Sequence, residues 1–342
     1  MTISVALPVY NGANYLREAL ESLVGQGPAL AEIVVADNYS SDATADIVRE
    51  FAAKDSRVRH VRSEVMLGQA ENVTRSVRLC RQEWVQLLCH DDLLRPGALT
   101  ALARVIAGLE GKECALIGHQ PAHLFADGQT HRTQAGQSVI ETRAARMAAP
   151  VNAQPEYAYH PADSTLGPAL RQGSLPYLPS LTTAAVRRSV FMQLGGFDAR
   201  WVHFDVFFWL RLVQVHGYAM VDDDWTLTRV HGQQVAVASR KNQRSYRDFR
   251  EFYRRFAPEA RKRYGLGWFP YFKLRVKPLS QAAAPLVVAA LTRRGGEFRQ
   301  QLLALRIWMW PPVLVIGLLN FYRESRRTRQ LRQSVPVNLI FE

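Results

Sequence analysis

Cysteine is scarce. Cys80, Cys89 and Cys114 are the only three in 342 residues, too few for a disulfide framework, and no two form a CxxC pair that would suggest zinc. Long apolar runs are missing as well. A membrane-spanning helix needs about 20 predominantly apolar residues; Ala282–Leu291 and Ile307–Leu319 come partway, and both contain proline. The N-terminus opens directly on Ile3-Ser4-Val5-Ala6-Leu7, without a basic region, a long apolar core or a small-residue cleavage site. That argues against a secretory signal and for a reducing, cytosol-facing protein. Neither GxGxxG nor GxxxxGK[ST] occurs, which excludes the two common glycine-rich phosphate loops. A phosphate-bearing ligand would have to be neutralised by a metal and basic side chains instead.

What is present is ordinary globular composition, 48% apolar and 21% charged, which excludes a disordered or collagen-like chain. The length suggests two domains. Charge separates them. Residues 1–240 hold 22 Lys/Arg against 24 Asp/Glu, whereas residues 241–342 hold 21 against 6. A near-neutral body carries a strongly basic tail, whose partner is expected to be an anionic surface.

The first hundred residues alternate strand and helix signals. Ile3–Val9 is a β-branched run ending at Pro8-Val9-Tyr10-Asn11-Gly12, and Leu16, Ala19, Leu20 and Leu23 then recur at helical spacing. Ile33-Val34-Val35-Ala36 is a continuous apolar strand that ends at Asp37-Asn38. A helix with Ile47, Val48 and Phe51 follows, then a strand at Val58–Val61, a helix at Gln69–Leu79 and a strand at Trp84–Leu88 that runs into His90-Asp91-Asp92. Such alternation implies a parallel sheet covered on both faces, with ligands beyond the carboxyl ends of the strands. Polar residues gather at three of those ends. The stretch 119–180 reads as loops and short elements over the sheet edge, suited to a second substrate. Beyond it come a strand at Thr182–Val186, a short helix at Ser189–Leu194, Gly195-Gly196-Phe197-Asp198, and an apolar helix from Phe204 that carries Asp205.

Two adjacent carboxylates, Asp91 and Asp92, at a strand end suit a hard divalent cation bridging to phosphates; a helix N-cap is the plainer use of the same residues. Asp222-Asp223-Asp224 lacks any accompanying phosphate-site pattern and reads as a solvated turn. Asp37, where the second strand exits, is placed to accept hydrogen bonds from a ribose hydroxyl or a base.

The ordered set of segments resembles the family 2 inverting glycosyltransferases of the GT-A fold. It comprises Pro8-Val9-Tyr10-Asn11-Gly12, Glu32 through Thr44, Leu67-Gly68-Gln69-Ala70-Glu71-Asn72, Leu88 through Gly97, Gly195-Gly196-Phe197-Asp198, Asp205 with Leu210-Arg211-Leu212, and Thr228-Arg229-Val230-His231-Gly232. The resemblance spans about residues 2–235 and implies a mixed, mainly parallel Rossmann-like sheet flanked by helices. By that resemblance Pro8, Tyr10, Asn11 and Asp37 hold the base and ribose of a nucleotide-sugar donor, and Gln69 and Asn72 line the donor pocket. Asp91 and Asp92 match the acidic motif, one gripping Mg²⁺ or Mn²⁺ on the diphosphate and the other near the ribose or donor sugar. Asp205 matches the general base, and His231 falls where a residue contacts metal or diphosphate. Cys89 stands where the family more usually has aspartate, and Phe204 and Phe207 replace polar residues around the base. These departures support an alternative, a non-catalytic sugar-nucleotide binder or membrane scaffold. The Gln-x-x-Arg-Trp motif of processive relatives is absent, so one sugar per encounter is expected.

Residues 244–263 combine seven arginines and one lysine with five aromatics. Further on, Trp268 precedes the two half-length apolar stretches, Trp308 and Trp310 open the second, and the arginines from Arg323 to Arg332 follow it. Interfacial tryptophan beside clustered arginine suggests helices lying in a membrane surface, so residues 244–332 are expected to bind anionic lipid, and nucleic acid is not an expected partner. The sequence therefore predicts a glycosyltransferase domain over 1–235, with the donor side about 1–100 and the acceptor side about 119–235. A helical, membrane-associating region follows over 236–342. The acceptor is expected to be a glycan or lipid-linked intermediate at the inner face of the cell membrane.

Overall fold

The computed structural model describes residues 1–134, 137–231, 244–268 and 270–271. The chain divides into two units, Met1–Leu166 with Tyr177–His231, and Gly167–Pro176 with Gly232–Glu342. The break falls at His231, four residues before the boundary drawn from composition, and Gly167–Pro176 goes with the second unit.

The first unit is built on one mixed sheet. Its strands are β1 (Ile3–Val9), β2 (Leu30–Asp37), β3 (Val58–Arg62), β4 (Trp84–Leu87), β5 (Leu93–Leu94), β6 (Cys114–Leu124), β7 (Gln129–Gln134), β8 (Gln137–Thr142), β9 (Tyr157–His160), β10 (Ala184–Arg187) and β11 (Gly217–Arg229). The main order is β3-β2-β1-β4-β10-β6-β11-β5. The first four of these strands run parallel, β10 is antiparallel to both neighbours, and β11 is parallel to β6. Helices α1 (Leu16–Val24), α2 (Thr44–Lys54), α3 (Gln69–Leu79) and α4 (Ala98–Gly108) connect the first strands, and α5 (Arg143–Ala148), α7 (Arg188–Gln193) and α8 (Phe204–Leu212) follow; α6 (Leu166–Arg171), past its first residue, belongs to the second unit.

Alternation along β1 explains the layering. Ile3, Val5, Leu7 and Val9 enter the core under α1, α2 and α4, while Ala6 enters the opposite core under α3, α7 and α8. Each fully buried Val, Leu or Ile contributes about 1.5–3 kcal/mol relative to exposure, so both faces are firmly covered. Chain order reverses between β1 and β4, and the crevice beyond the carboxyl ends of those two strands is where open α/β sheets take ligands.

Two expectations change. Much of 119–142, read as loops, is strand: β6 continues to Leu124 and a polar hairpin, β7–β8, extends it. Ladder hydrogen bonds to a neighbour, not apolar periodicity, hold that hairpin. Asp222-Asp223-Asp224 is no solvated turn either; it lies inside β11, with Asp224 only 6% exposed.

In the second unit a helix runs over Arg244–Tyr264, where the sequence predicted one. It buries Tyr253, Ala257 and Ala260 at helical spacing. Among the described residues no helix is long and apolar enough to cross a membrane. The stretches 282–291 and 307–319 and the arginines of 323–332 lie outside the described residues.

Candidate functional site

Strand β4 delivers the chain to a turn, Cys89-His90-Asp91-Asp92, closed by the Asp92 amide donating to the Cys89 carbonyl at 3.1 Å. The turn sits at the β1/β4 crevice, with His90 against Gly12: a Cβ at Gly12 would stand 2.8 Å from the His90 ring. Strand β11 brings the second half of the site from far along the chain. Its last residue, Arg229, donates its amide to Asp92 Oδ1 at 2.8 Å and its Nε to the Asp91 carbonyl at 2.9 Å. Two residues later, His231 Nε2 meets Asp91 Oδ2 at 2.9 Å, its ring 5.2 Å from that of Tyr15. The structure thus brings together the three predicted metal-site residues, Asp91, Asp92 and His231.

Their electrostatics differ. Burial, followed by the neighbouring charge of Asp91, pushes the Asp92 carboxyl well above its ordinary range. Burial acts the same way on Asp91, but its hydrogen bond to His231 and the charge of His90 more than offset it, so the net direction is down. Cys89 adds a thiol to the cluster, since its Sγ and the carboxylate oxygens of Asp91 and Asp92 lie within 4.8 Å of one another. Burial and the charges of Asp92, Asp91 and Asp205 raise that thiol well above normal. Two carboxylates crowded at one turn, the charge of one driving the other toward its protonated form, fit a hard divalent cation, which would lie against Asp91 and Asp92.

Asp205 therefore belongs to the same electrostatic neighbourhood. It stands in the first turn of α8, where backbone N–H groups of Val206 and Leu181 face its carboxylate. Burial outweighs them and raises its proton affinity. Phe204 and Phe207, the departures noted from sequence, are both buried beside it in the chain.

At the ends of β1 and β2 the backbone takes unusual turns. Asn11 and Tyr39 both have positive φ, 47° and 64°, a costly conformation for residues other than glycine. Ser40 Oγ accepts the Asn11 amide at 2.9 Å, and Asn11 Oδ1 accepts the Ser41 amide at 2.9 Å. This leaves Tyr10 and Tyr39 44% and 49% exposed. Tyr39 carries the Arg62 guanidinium over its ring at 4.9 Å; no sequence motif had singled it out. Pro8 is half-buried inside β1. Asp37 is fully buried: its Oδ1 accepts the Ser40 amide at 2.9 Å and its Oδ2 meets His60 Nε2 at 3.1 Å. Gln69 is exposed at the start of α3. Asn72 turns inward instead, its Nδ2 donating to the Ala36 carbonyl at 2.9 Å, and clamps α3 to β2. The side chain beside Leu67 is that of Asn38, which exchanges two hydrogen bonds with the Leu67 backbone.

A cavity of about 720 Å³ opens elsewhere, between α1, Leu93–Pro96 and the β8–α5 corner. None of the predicted site residues lines it.

Residues 4–146 match the model of Glycosyl transferase family 2. Glycosyltransferase GlyG of Streptococcus pneumoniae is 27% identical over 135 residues, covering 40% of this chain and 44% of that protein. The chain spans less than half the length of the first three curated relatives it matches. Among solved structures, S. aureus TarS 1–349 in complex with UDP-GlcNAc superposes with a TM-score of 0.54 at 16% identity, covering 94% of this chain and 80% of TarS 1–349. A mannosyltransferase of Pyrobaculum calidifontis in complex with GDP-Man and Mn²⁺ gives 0.51 at 17% identity, over 97% and 88% of the two chains. At these identities the superpositions establish fold. They place the chain in the GT-A fold, a mixed, mainly parallel sheet flanked by helices, and over residues 4–146 the chain is similar to Glycosyl transferase family 2.

Proposed function

We propose that the protein is an inverting glycosyltransferase that moves one sugar from a nucleoside-diphosphate donor to an acceptor hydroxyl, with Mg²⁺ or Mn²⁺ held at Asp91 and Asp92 beside His231. The observation that carries this reading is the meeting of Asp91, Asp92 and His231, from the ends of β4 and β11, at the β1/β4 crevice. A bound divalent cation supplies counter-charge for the departing diphosphate. Tyr10 and Tyr39 offer exposed ring faces to the base, with Asn11 and Asp37 shaping the turns that present them. Gln69 borders the donor. Asp205 accepts the proton of the acceptor hydroxyl as the new bond forms, and its raised proton affinity suits a base. One base and direct displacement give inversion, as in inverting glycosidases with a sugar hydroxyl in place of water. The nucleotide sugars bound by TarS and by the Pyrobaculum mannosyltransferase support this donor class.

The acceptor in this reading is a glycan or lipid-linked saccharide at the inner membrane face, approached through the basic segment 244–332, where each basic residue near anionic lipid adds about 1 kcal/mol. Flotation with phosphatidylglycerol vesicles tests it: the full chain should float and a chain lacking 264–342 should not. If the shortened chain floats equally well, the tail is not the anchor.

Calorimetry with UDP, GDP, dTDP and CMP, with and without Mn²⁺, tests the donor site. Manganese-dependent binding of one nucleoside diphosphate is expected; no binding of any would point to a degenerate site. Asp205→Asn should then lower kcat by about 10²–10⁴ while leaving donor affinity intact. An unchanged kcat would remove Asp205 from the role of base.

A further inference from the structure

Helix α1 reaches the acidic turn through one side chain outside the motif set. Glu18 Oε2 accepts from Arg229 Nη2 at 2.6 Å, and the same Arg229 binds the Asp91 carbonyl through Nε and Asp92 through its amide. The Tyr15 ring, one helical turn earlier, lies 4.7 Å from the Arg229 guanidinium carbon. Arg229 is thus the protein's own cation beside two carboxylates, and its charge already acts on Asp92. A guanidinium forks readily onto carboxylates. Here Glu18 and Tyr15 occupy it from the other side.

We propose that Glu18 is a positioning residue: it holds the Arg229 guanidinium on α1, off the Asp91 and Asp92 side chains, so that those oxygens stay available to a divalent cation. This rests on reading the acidic turn as a cation site. Without Glu18 the guanidinium swings toward the carboxylates and competes with the cation. The same loss leaves the main-chain clamp on the turn in place, because the Arg229 amide does not depend on its side chain.

The test is Mn²⁺ titration of the purified full chain, followed by electron paramagnetic resonance, alongside a thermal melt. Removing one charged hydrogen bond of this kind corresponds to about a tenfold change in an equilibrium, so Glu18→Ala should weaken Mn²⁺ about tenfold. Glu18→Gln, which keeps an oxygen acceptor for Arg229, should recover most of the affinity. In an Arg229→Gln background, Glu18→Ala should have no further effect, the signature of a coupled pair. Arg143 is the other partner of Glu18, at 2.9 Å, and Arg143→Ala should leave Mn²⁺ binding unchanged. Wild-type affinity in Glu18→Ala would overturn the inference. So would an equal loss in the Arg229→Gln background, or an equal loss in Arg143→Ala, since the effect would then not pass through Arg229. A wild-type chain that binds no Mn²⁺ would sink the cation reading of the turn itself, and the inference with it.

Discussion

Two pairs of consecutive aspartates belong to one sheet, Asp223-Asp224 inside β11 and Asp91-Asp92 in the turn between β4 and β5, and their surroundings differ in charge balance. Asp223 and Asp224 sit within β11 against two guanidiniums. Arg146 binds Asp224 through Nε at 2.8 Å and through a second, shorter contact, while Arg95 lies 3.4 Å from Asp224 and 3.6 Å from Asp223. Burial still raises the Asp224 carboxyl above its ordinary value, although Arg146 and Arg95 draw it back. Two negative and two positive groups cancel, and Asp223 also accepts the Asn152 amide and the Trp225 indole. At the acidic turn Cys89 feels the charges of Asp92, Asp91 and Asp205, and the Arg229 guanidinium that clamps the turn is itself shared with Glu18. Among the described residues that pair is left short of positive charge. A fold can bury acid either way, but only the second arrangement has something to gain from an outside cation.

The sharpest way to break this comparison is to neutralise one member of each pair. Asp91→Asn or Asp92→Asn should cut transfer by at least about a thousandfold, the several kcal/mol of charge stabilisation a metal supplies, without lowering the melting temperature. Full activity in either variant would remove that residue from the cation site. Asp224→Ala should do the reverse. Stranding Arg95 and Arg146 in the interior should cost about 3–5 kcal/mol of stability, while molecules that remain folded transfer sugar at the normal rate. A denaturation midpoint equal to the wild type would show that the buried network is not needed.

A smaller effect comes from pH. His119 is buried beside Trp225, ring centroids 5.1 Å apart, and burial lowers its pKa from 6.5 to about 4. A depressed value means that the neutral ring is the stable one in the fold. Its contribution is therefore complete above about pH 6.5 and is lost as pH falls toward 4, by up to about 3 kcal/mol. Urea denaturation across that window should show the decline, and His119→Gln should flatten it. A wild-type profile flat between pH 6.5 and 4 would mean that the ring is already protonated, or that water reaches it.

Much of the architecture was legible because it is local. Leu16, Ala19, Leu20 and Leu23 recur at helical spacing and are buried as that spacing demands; Asp91 and Asp92 end an apolar strand and are found there. Where neighbours supply the reason for a conformation, the reading failed. The β7–β8 hairpin has polar strands held by pairing, and Asp223-Asp224 is interior only because Arg95 and Arg146 come to meet it. Asn72 sits in a segment resembling a donor-site motif, yet its amide is spent on Ala36. Glu18 and Arg229 are 211 residues apart, and nothing in either segment alone links them.

The sequence by itself determined the alternation of strands and helices, the crevice at the strand ends and the acidic turn within it. Those follow from periodicity and from residues adjacent in the chain. Only the tertiary structure decided that guanidiniums meet Asp223 and Asp224, that His231 and Arg229 arrive at Asp91 and Asp92, and that Asp205 acts on Cys89 beside them. Charge balance in a buried site is a sum over neighbours in space, and β11 supplies those neighbours from more than a hundred residues away.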